Sequence, residues 1–157
     1  GRKGDGRGEI EEPIPVVLKT WRFQHRVEDR YFELNRVDAV ITDRLTSSPY
    51  VLNGYGHCGL SLITEYASGS ITAAADKLDS LGKLKLARRI ATGLAEVHVG
   101  GGGWGGRSSH QGRPSVVHND INTDHIILGP DGLTPKYHDF NTAVLLSRNP
   151  TTSRTCG

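Results

Sequence analysis

Apolar positions along this chain change period several times, and each change predicts an element. Residues 14–21, IPVVLKTW, form a short apolar run with a proline near its start, which reads as an edge strand. From 27 to 45 the apolar residues are Val27, Tyr31, Leu34, Val37, Ile41 and Leu45. Steps of three and four place them on one face of a helix, which Thr46-Ser47-Ser48-Pro49 stops. Residues 50–52 and 60–66 read as two strands around a glycine-rich turn, 54–59. A short helix is expected over 72–81. A second is expected over 84–97, with Leu84, Ala87, Ala91, Leu94 and Val97 on its buried face. Short strands follow at 116–117, 126–128 and 143–146, with a turn on Gly129-Pro130-Asp131-Gly132 after the middle one. This order predicts an α+β chain, with antiparallel strands and one long helix in front and a helical layer behind.

Polar stretches set the domain limits. Residues 1–12 are a tail without apolar period, 100–113 (GGGWGGRSSHQGR and its flanking glycine) are a low-complexity insert, and 149–157 are a polar end. At 157 residues with 36% hydrophobic content, the chain is long enough for one core. The formal charge of +2 is too small to argue for nucleic acid, and no apolar run approaches a membrane span. Two distant cysteines, Cys58 and Cys156, indicate neither a disulfide framework nor a zinc site, which makes a reducing intracellular compartment the expectation. There is no methionine, so the chain is expected to be a piece of a longer product.

The chemistry concentrates in residues 118–146, HNDINTDHIILGPDGLTPKYHDFNTAVLL, where Asp120 and Asp139 each precede a short apolar run and His118, His125 and His138 lie close by. Taken alone, an aspartate in a turn is most often an Asx-turn acceptor; that reading suits Asp131 better than Asp139, which abuts an aromatic and a strand. A lysine closing a strand, such as Lys19, is most often a solvated edge residue.

Taken in order, VVLK (16–19), the long helix, TEYA (64–67), ARRIATGLAEVH (87–98), HND (118–120) and DFN (139–141) resemble the eukaryotic protein kinase domain. The resemblance covers about 16–146 and implies a two-lobe kinase-like fold truncated at both ends: part of the small lobe and the connecting segment over 13–67, and part of the large lobe over 68–148. It implies ATP and Mg2+ as cofactors and phosphoryl transfer to a protein hydroxyl. By the same resemblance Asp120 is the catalytic base that accepts the hydrogen bond of the substrate hydroxyl and orients it, Lys19 holds the nucleotide phosphates, and an acid of the following helix pairs with Lys19. Glu33 and Asp38 are five residues apart and point about 140° away from each other, so only one can face the lysine. Asp38 fits the family register. Glu65 and Ala67 would offer backbone groups to an adenine edge, with Thr64 behind them. Asp139 and His125 are the candidate metal ligands, and His118 would pack beneath Phe140.

Differences from the family pattern keep other functions open. Asn122 stands where many kinases carry a lysine, His125 where a second metal-binding asparagine is expected, and Asn141 where the glycine of DFG stands, a place where asparagine tolerates positive φ. Imidazole suits softer metals than Mg2+. No glycine-rich phosphate loop precedes Lys19 and no A-P-E segment follows DFN. A catalytically impaired pseudokinase serving as a binding or scaffold module is therefore an alternative. A small-molecule phosphotransferase of the aminoglycoside or choline kinase type is another, since those share an H-x-D loop and a later metal aspartate. A nucleic-acid role for the Gly-Arg tail and the Gly-Trp insert ranks last, because basic residues are few and aromatics hardly interleave.

Overall fold

The computed structural model describes residues 13–22, 24, 26–46, 48–99 and 116–146. The predicted tail 1–12, insert 100–113 and end 149–157 lie outside the described residues. In chain order the elements are β1 (Val16–Thr20), α1 (Asp29–Leu45), β2 (Gly54–Cys58), β3 (Ser61–Glu65), β4 (Gly69–Ser70), α2 (Ile71–Ala75), α3 (Ser80–Val99), β5 (Val116–Val117), a 3-10 turn (Thr123–His125), β6 (Ile126–Leu128), β7 (Pro135–Tyr137) and β8 (Val144–Leu145). The fold is α+β. Three small sheets, with strand orders β1-β3-β2, β4-β6-β7 and β5-β8, are antiparallel throughout. Among the described residues no helix is long and apolar enough to cross a membrane.

The predicted stripe of α1 is present, and it points its later part inward. Ile41 and Leu45 are fully buried, Val37 is half-buried, and Val27 lies before the helix and is exposed. Asp29 in the first turn and Arg44 in the last complement the helix dipole. Asp38 sits in the same stripe, three residues before Ile41 and seven before Leu45. It is only 2% exposed, a position normally held by an apolar side chain.

In the first sheet β1 is an edge strand, mostly exposed, as the proline-led run predicts. Period-two alternation turns Val17 and Lys19 to one face, and their register partners Thr64 and Leu62 on β3 share that face. The expected strand over 50–52 is reduced to a single parallel bridge, Val51 to Tyr137. The glycine-rich stretch after it, read from sequence as a turn, is β2. It pairs with β3 through a bulge between Gly54 and Gly56, and Gly59 (φ 56°) turns the hairpin. Glycines there weaken the strand signal without preventing pairing, because β3 supplies the hydrogen-bonding partner.

Helix α3 is longer than predicted and rotated. Leu84 is 68% exposed, and Ala87 and Ala91 face outward as well. Leu86, Ile90 and Gly93 face the core, together with the expected Leu94 and Val97. The helix is apolar on two sides, so period alone could not choose between them. Close approach chooses: a Cβ on Gly93 would lie 2.9 Å from Tyr50 Cβ and 3.1 Å from Tyr137 Cε2, so only the glycine face can seat against these rings. Tyr137 Oη also donates to the Ile90 carbonyl (2.9 Å). Burial pushes that phenol up to about 12, so it stays a donor.

The predicted helix over 72–81 shortens to α2, whose N-cap Ser70 accepts from the Thr72 amide. Strand β7 was not anticipated, since it begins at a proline and contains Lys136. It pairs with β6 (Ile126 with Tyr137, Ile127 with Lys136, Leu128 with Pro135). Between them Asp131 closes an Asx turn: Oδ1 accepts from the Leu133 and Thr134 amides, and Oδ2 from the Thr134 hydroxyl. Those hydrogen bonds, the Thr134 hydroxyl foremost, hold its carboxyl down at about 2. The core gathers Ile41, Leu45, Val51, Val97, Val116, Ile126, Tyr137 and Phe140, and so joins α1, α3 and the short strands.

Candidate functional site

A cavity of about 330 Å³ lies between the β1-β3-β2 sheet and the β6–β7 hairpin. That volume falls at the lower end of small-molecule sites. Val17, Leu52, Leu62 and Ile127 form apolar walls. One end is charged, with Lys19, Asp38 and Asp139; the other is formed by Thr64, Glu65 and Ala67.

At the charged end Lys19 Nζ donates to Asp38 Oδ2 (2.8 Å) and to Asp139 Oδ1 (2.5 Å), joining residues 120 positions apart in sequence. Glu33 is turned to the exposed face of α1, where it pairs with Arg36 (2.6 Å). Burial works against charge on Lys19, but the two carboxylates outweigh it and hold its pKa above the ordinary lysine value. Burial likewise pushes Asp139 up, and the Lys19 hydrogen bond and charge pull it below the usual carboxylate range. The other oxygen of Asp38 accepts the buried Phe140 amide (2.8 Å), so one carboxylate of α1 fixes both the lysine and the residue after Asp139.

Asp139 adopts φ 63°, and Asn119 adopts φ 65°. Asn141, which could tolerate positive φ, does not adopt it. The left-handed conformation thus falls on residue types that tolerate it best, and at Asp139 it re-aims the side chain from the β7 direction back toward Lys19.

Asp120 does not line the cavity; it is joined to it through His125. The His125 Nδ1 N–H donates to the Asp120 carbonyl (2.9 Å) and lies 3.4 Å from Asp120 Oδ2, while Nε2 stands 3.5 Å from Asp139 Oδ2. Asn122, the position lacking the expected positive charge, orients this loop. Its Oδ1 caps the 3-10 turn by accepting from the Asp124 and His125 amides, and its Nδ2 donates to Asp120 Oδ1 (3.1 Å). His118 is buried, with its ring 4.8 Å from that of Phe140 and its Nε2 N–H donating to the His138 carbonyl (3.0 Å). Among the described residues its Nδ1 has no hydrogen-bond partner, which a neutral ring tolerates better than a charged one.

A divalent cation can be tested against these donors. Asp139 Oδ1 is taken by Lys19, but among the described residues Oδ2 has no hydrogen bond, so one carboxylate oxygen is open. That fits Mg2+, which is commonly held by one or two carboxylates together with ligand phosphates. The neighbouring His125 nitrogen is a poor Mg2+ donor. Among the described residues no group of three or more His, Cys, Asp or Glu side chains is arranged to hold a metal.

At the other end the Glu65 amide is committed to the Asn53 carbonyl (3.0 Å), and the Thr64 hydroxyl reaches the Glu65 carbonyl (3.3 Å). The Glu65 side chain turns into a buried pair with Lys136 (2.6 Å), which also donates to the Val51 carbonyl (3.2 Å). Sequence reasoning missed Lys136 and gave His138, which lines the cavity, no role. A lysine between a turn and an aromatic has no periodic signature, and only its burial in the fold singles it out. No protein-family model and no curated protein matches this chain.

Burial lowers the pKa of both His118 and His138. An unfolded chain takes up protons near pH 6.5 that the folded chain refuses, so the stability these rings contribute is complete above pH 6.5 and is lost as pH falls through the depressed folded values. The slope is at most about 1.4 kcal/mol per pH unit for each ring. Urea midpoints measured from about pH 7.5 down to about pH 5.5 should therefore decline, well above the range where carboxylates titrate; a flat series contradicts this.

Proposed function

We propose that this chain is a protein kinase-like domain that binds ATP with Mg2+ and transfers its terminal phosphoryl group to a protein hydroxyl. In this reading residues 13–67 are part of a small lobe with its connecting segment, and 68–148 are part of a large lobe. The observation that carries it is Lys19 Nζ held between Asp38 and Asp139 at one end of a largely apolar cavity that Thr64, Glu65 and Ala67 also line. Such a cavity suits a ligand with a flat apolar ring and an anionic tail.

Lys19 would meet phosphate oxygens, its charge maintained by Asp38 when Asp139 turns to the cation. Asp139 Oδ2 would be the protein oxygen on Mg2+, which when bound neutralises phosphate charge. The Glu65 carbonyl and the Ala67 backbone would meet the ring edge; the Glu65 amide would not, since Asn53 holds it. Asp120, fixed by Asn122 and His125, would accept the hydrogen bond of the substrate hydroxyl and orient it for attack.

The second reading, a binding module without turnover, is favoured by His125, a nitrogen donor beside Asp139 where an oxygen donor would serve Mg2+ better. Calorimetry with ATP and Mg2+, followed by phosphate transfer assays on peptide, sugar and amino-alcohol acceptors, separates the readings. Asp120→Asn is expected to keep ATP binding and lower peptide phosphorylation about 10²–10⁴-fold. Binding without transfer by the unaltered chain supports the second reading, transfer to small acceptors alone supports a small-molecule phosphotransferase, and absence of ATP binding sinks all three.

A further inference from the structure

The cavity is built from two sheets that share no strand. Its ring-facing end belongs to β3 and the residues after it, and its acid, Asp139, follows β7. Among the described residues two pairs cross between the sheets, Lys19 to Asp139 at the charged end and a buried pair at the ring-facing end. Lys136 on β7 is 8% exposed and Glu65 at the end of β3 is 7% exposed, and they meet at 2.6 Å. Lys136 adds the Val51 carbonyl (3.2 Å), and Glu65 Oε1 adds the Asn53 amide (2.9 Å), so both charges also bond to the segment between α1 and β2. Neither side chain is needed for strand pairing, and an apolar pair of similar volume would cost the fold little. What the pair does fix is how far apart the two ends of the cavity stand, because Lys136 lies three residues before Asp139 and Glu65 two before Ala67.

We propose that Lys136 and Glu65 are positioning residues that set the span between the ring-binding and phosphate-binding ends of the cavity, making it selective for ligands that engage both. This rests on the nucleotide reading above. A ligand bridging two subsites gains from their correct separation and loses that gain when the separation drifts, whereas a ligand touching one subsite does not sense it.

The test is calorimetry on the full 157-residue chain and on the double variant Glu65→Gln, Lys136→Met, which removes both charges together and keeps an acceptor for the Asn53 amide. Three probes are used: ATP, adenosine and tripolyphosphate, each with Mg2+. ATP affinity is expected to fall about tenfold in the variant, with adenosine and tripolyphosphate each within about twofold of the unaltered chain. An unchanged ATP affinity, or an equal loss for all three probes, overturns the inference while leaving the nucleotide reading standing. Absence of ATP binding by the unaltered chain overturns the nucleotide reading and this inference with it. Should the double variant fail to fold, Glu65→Gln alone carries the same comparison: a selective ATP loss of about threefold supports the inference and none overturns it.

Discussion

Asp38→Ala is expected to destabilise the chain by about 2–4 kcal/mol, a large part of the roughly 5–15 kcal/mol that holds a domain of this size. The carboxylate is 2% exposed and serves two donors from distant parts of the chain, Lys19 Nζ and the Phe140 amide. Alanine leaves the amide orphaned inside the protein, which alone costs roughly 1–3 kcal/mol. Asp38→Asn keeps an acceptor for that amide and gives up only the lysine, so it should lose less than half as much. Urea unfolding of both variants measures the order; equal losses would show that the amide bond is not what Asp38 supplies. Because the same carboxylate steadies Lys19, on the proposed nucleotide reading the asparagine variant should also bind ATP more weakly while staying folded.

Phe140→Ala should be at least as damaging to stability, at about 3–5 kcal/mol, because a fully buried ring is removed from a packed core. Its neighbours cannot close the gap easily. His118 lies against one face of it and is itself pinned to the His138 carbonyl, and the Phe140 amide is tied to Asp38. The loss should reach the site, since the ring anchors the turn in which Asp139 adopts its left-handed conformation. Phe140→Leu, which refills most of the volume, should recover more than half of the stability. Thermal unfolding of the two variants, with ATP affinity of the leucine form beside it, checks both parts; a leucine variant as unstable as the alanine one argues against packing as the cause.

How much of this could be read beforehand depended on whether a residue's role was local. The α1 stripe was legible because each apolar residue declares itself by spacing, whereas Asp38 was singled out over Glu33 only by its register in the family pattern. Lys19 was legible only through the order of distant motifs, as its strand would otherwise mark it as a solvated edge. Helix α3 was located, and Leu94 and Val97 of its expected face do reach the core, but Leu84, Ala87 and Ala91 do not, because two of its sides are apolar and the choice was made by Tyr50 and Tyr137 against Gly93, contacts between residues far apart in sequence. β7 escaped notice since a proline and a lysine dilute its strand signal, and with it went the Lys136–Glu65 pair. Nothing in the sequence marked Asp139 for positive φ, yet the backbone bends there, two residues before Asn141, where Asp139 leaves the strand to meet Lys19.

The parallel bridge at Val51 has a mechanical consequence. The Tyr137 amide donates to the Tyr50 carbonyl (2.7 Å) and its carbonyl accepts from the Leu52 amide (3.1 Å), stitching the chain after α1 to β7 along one short seam. The two sheets enclosing the cavity are therefore leaves on a common spine. An opening of the cleft that keeps this seam must part Lys19 from Asp139, the contact that joins the two sheets at the charged end.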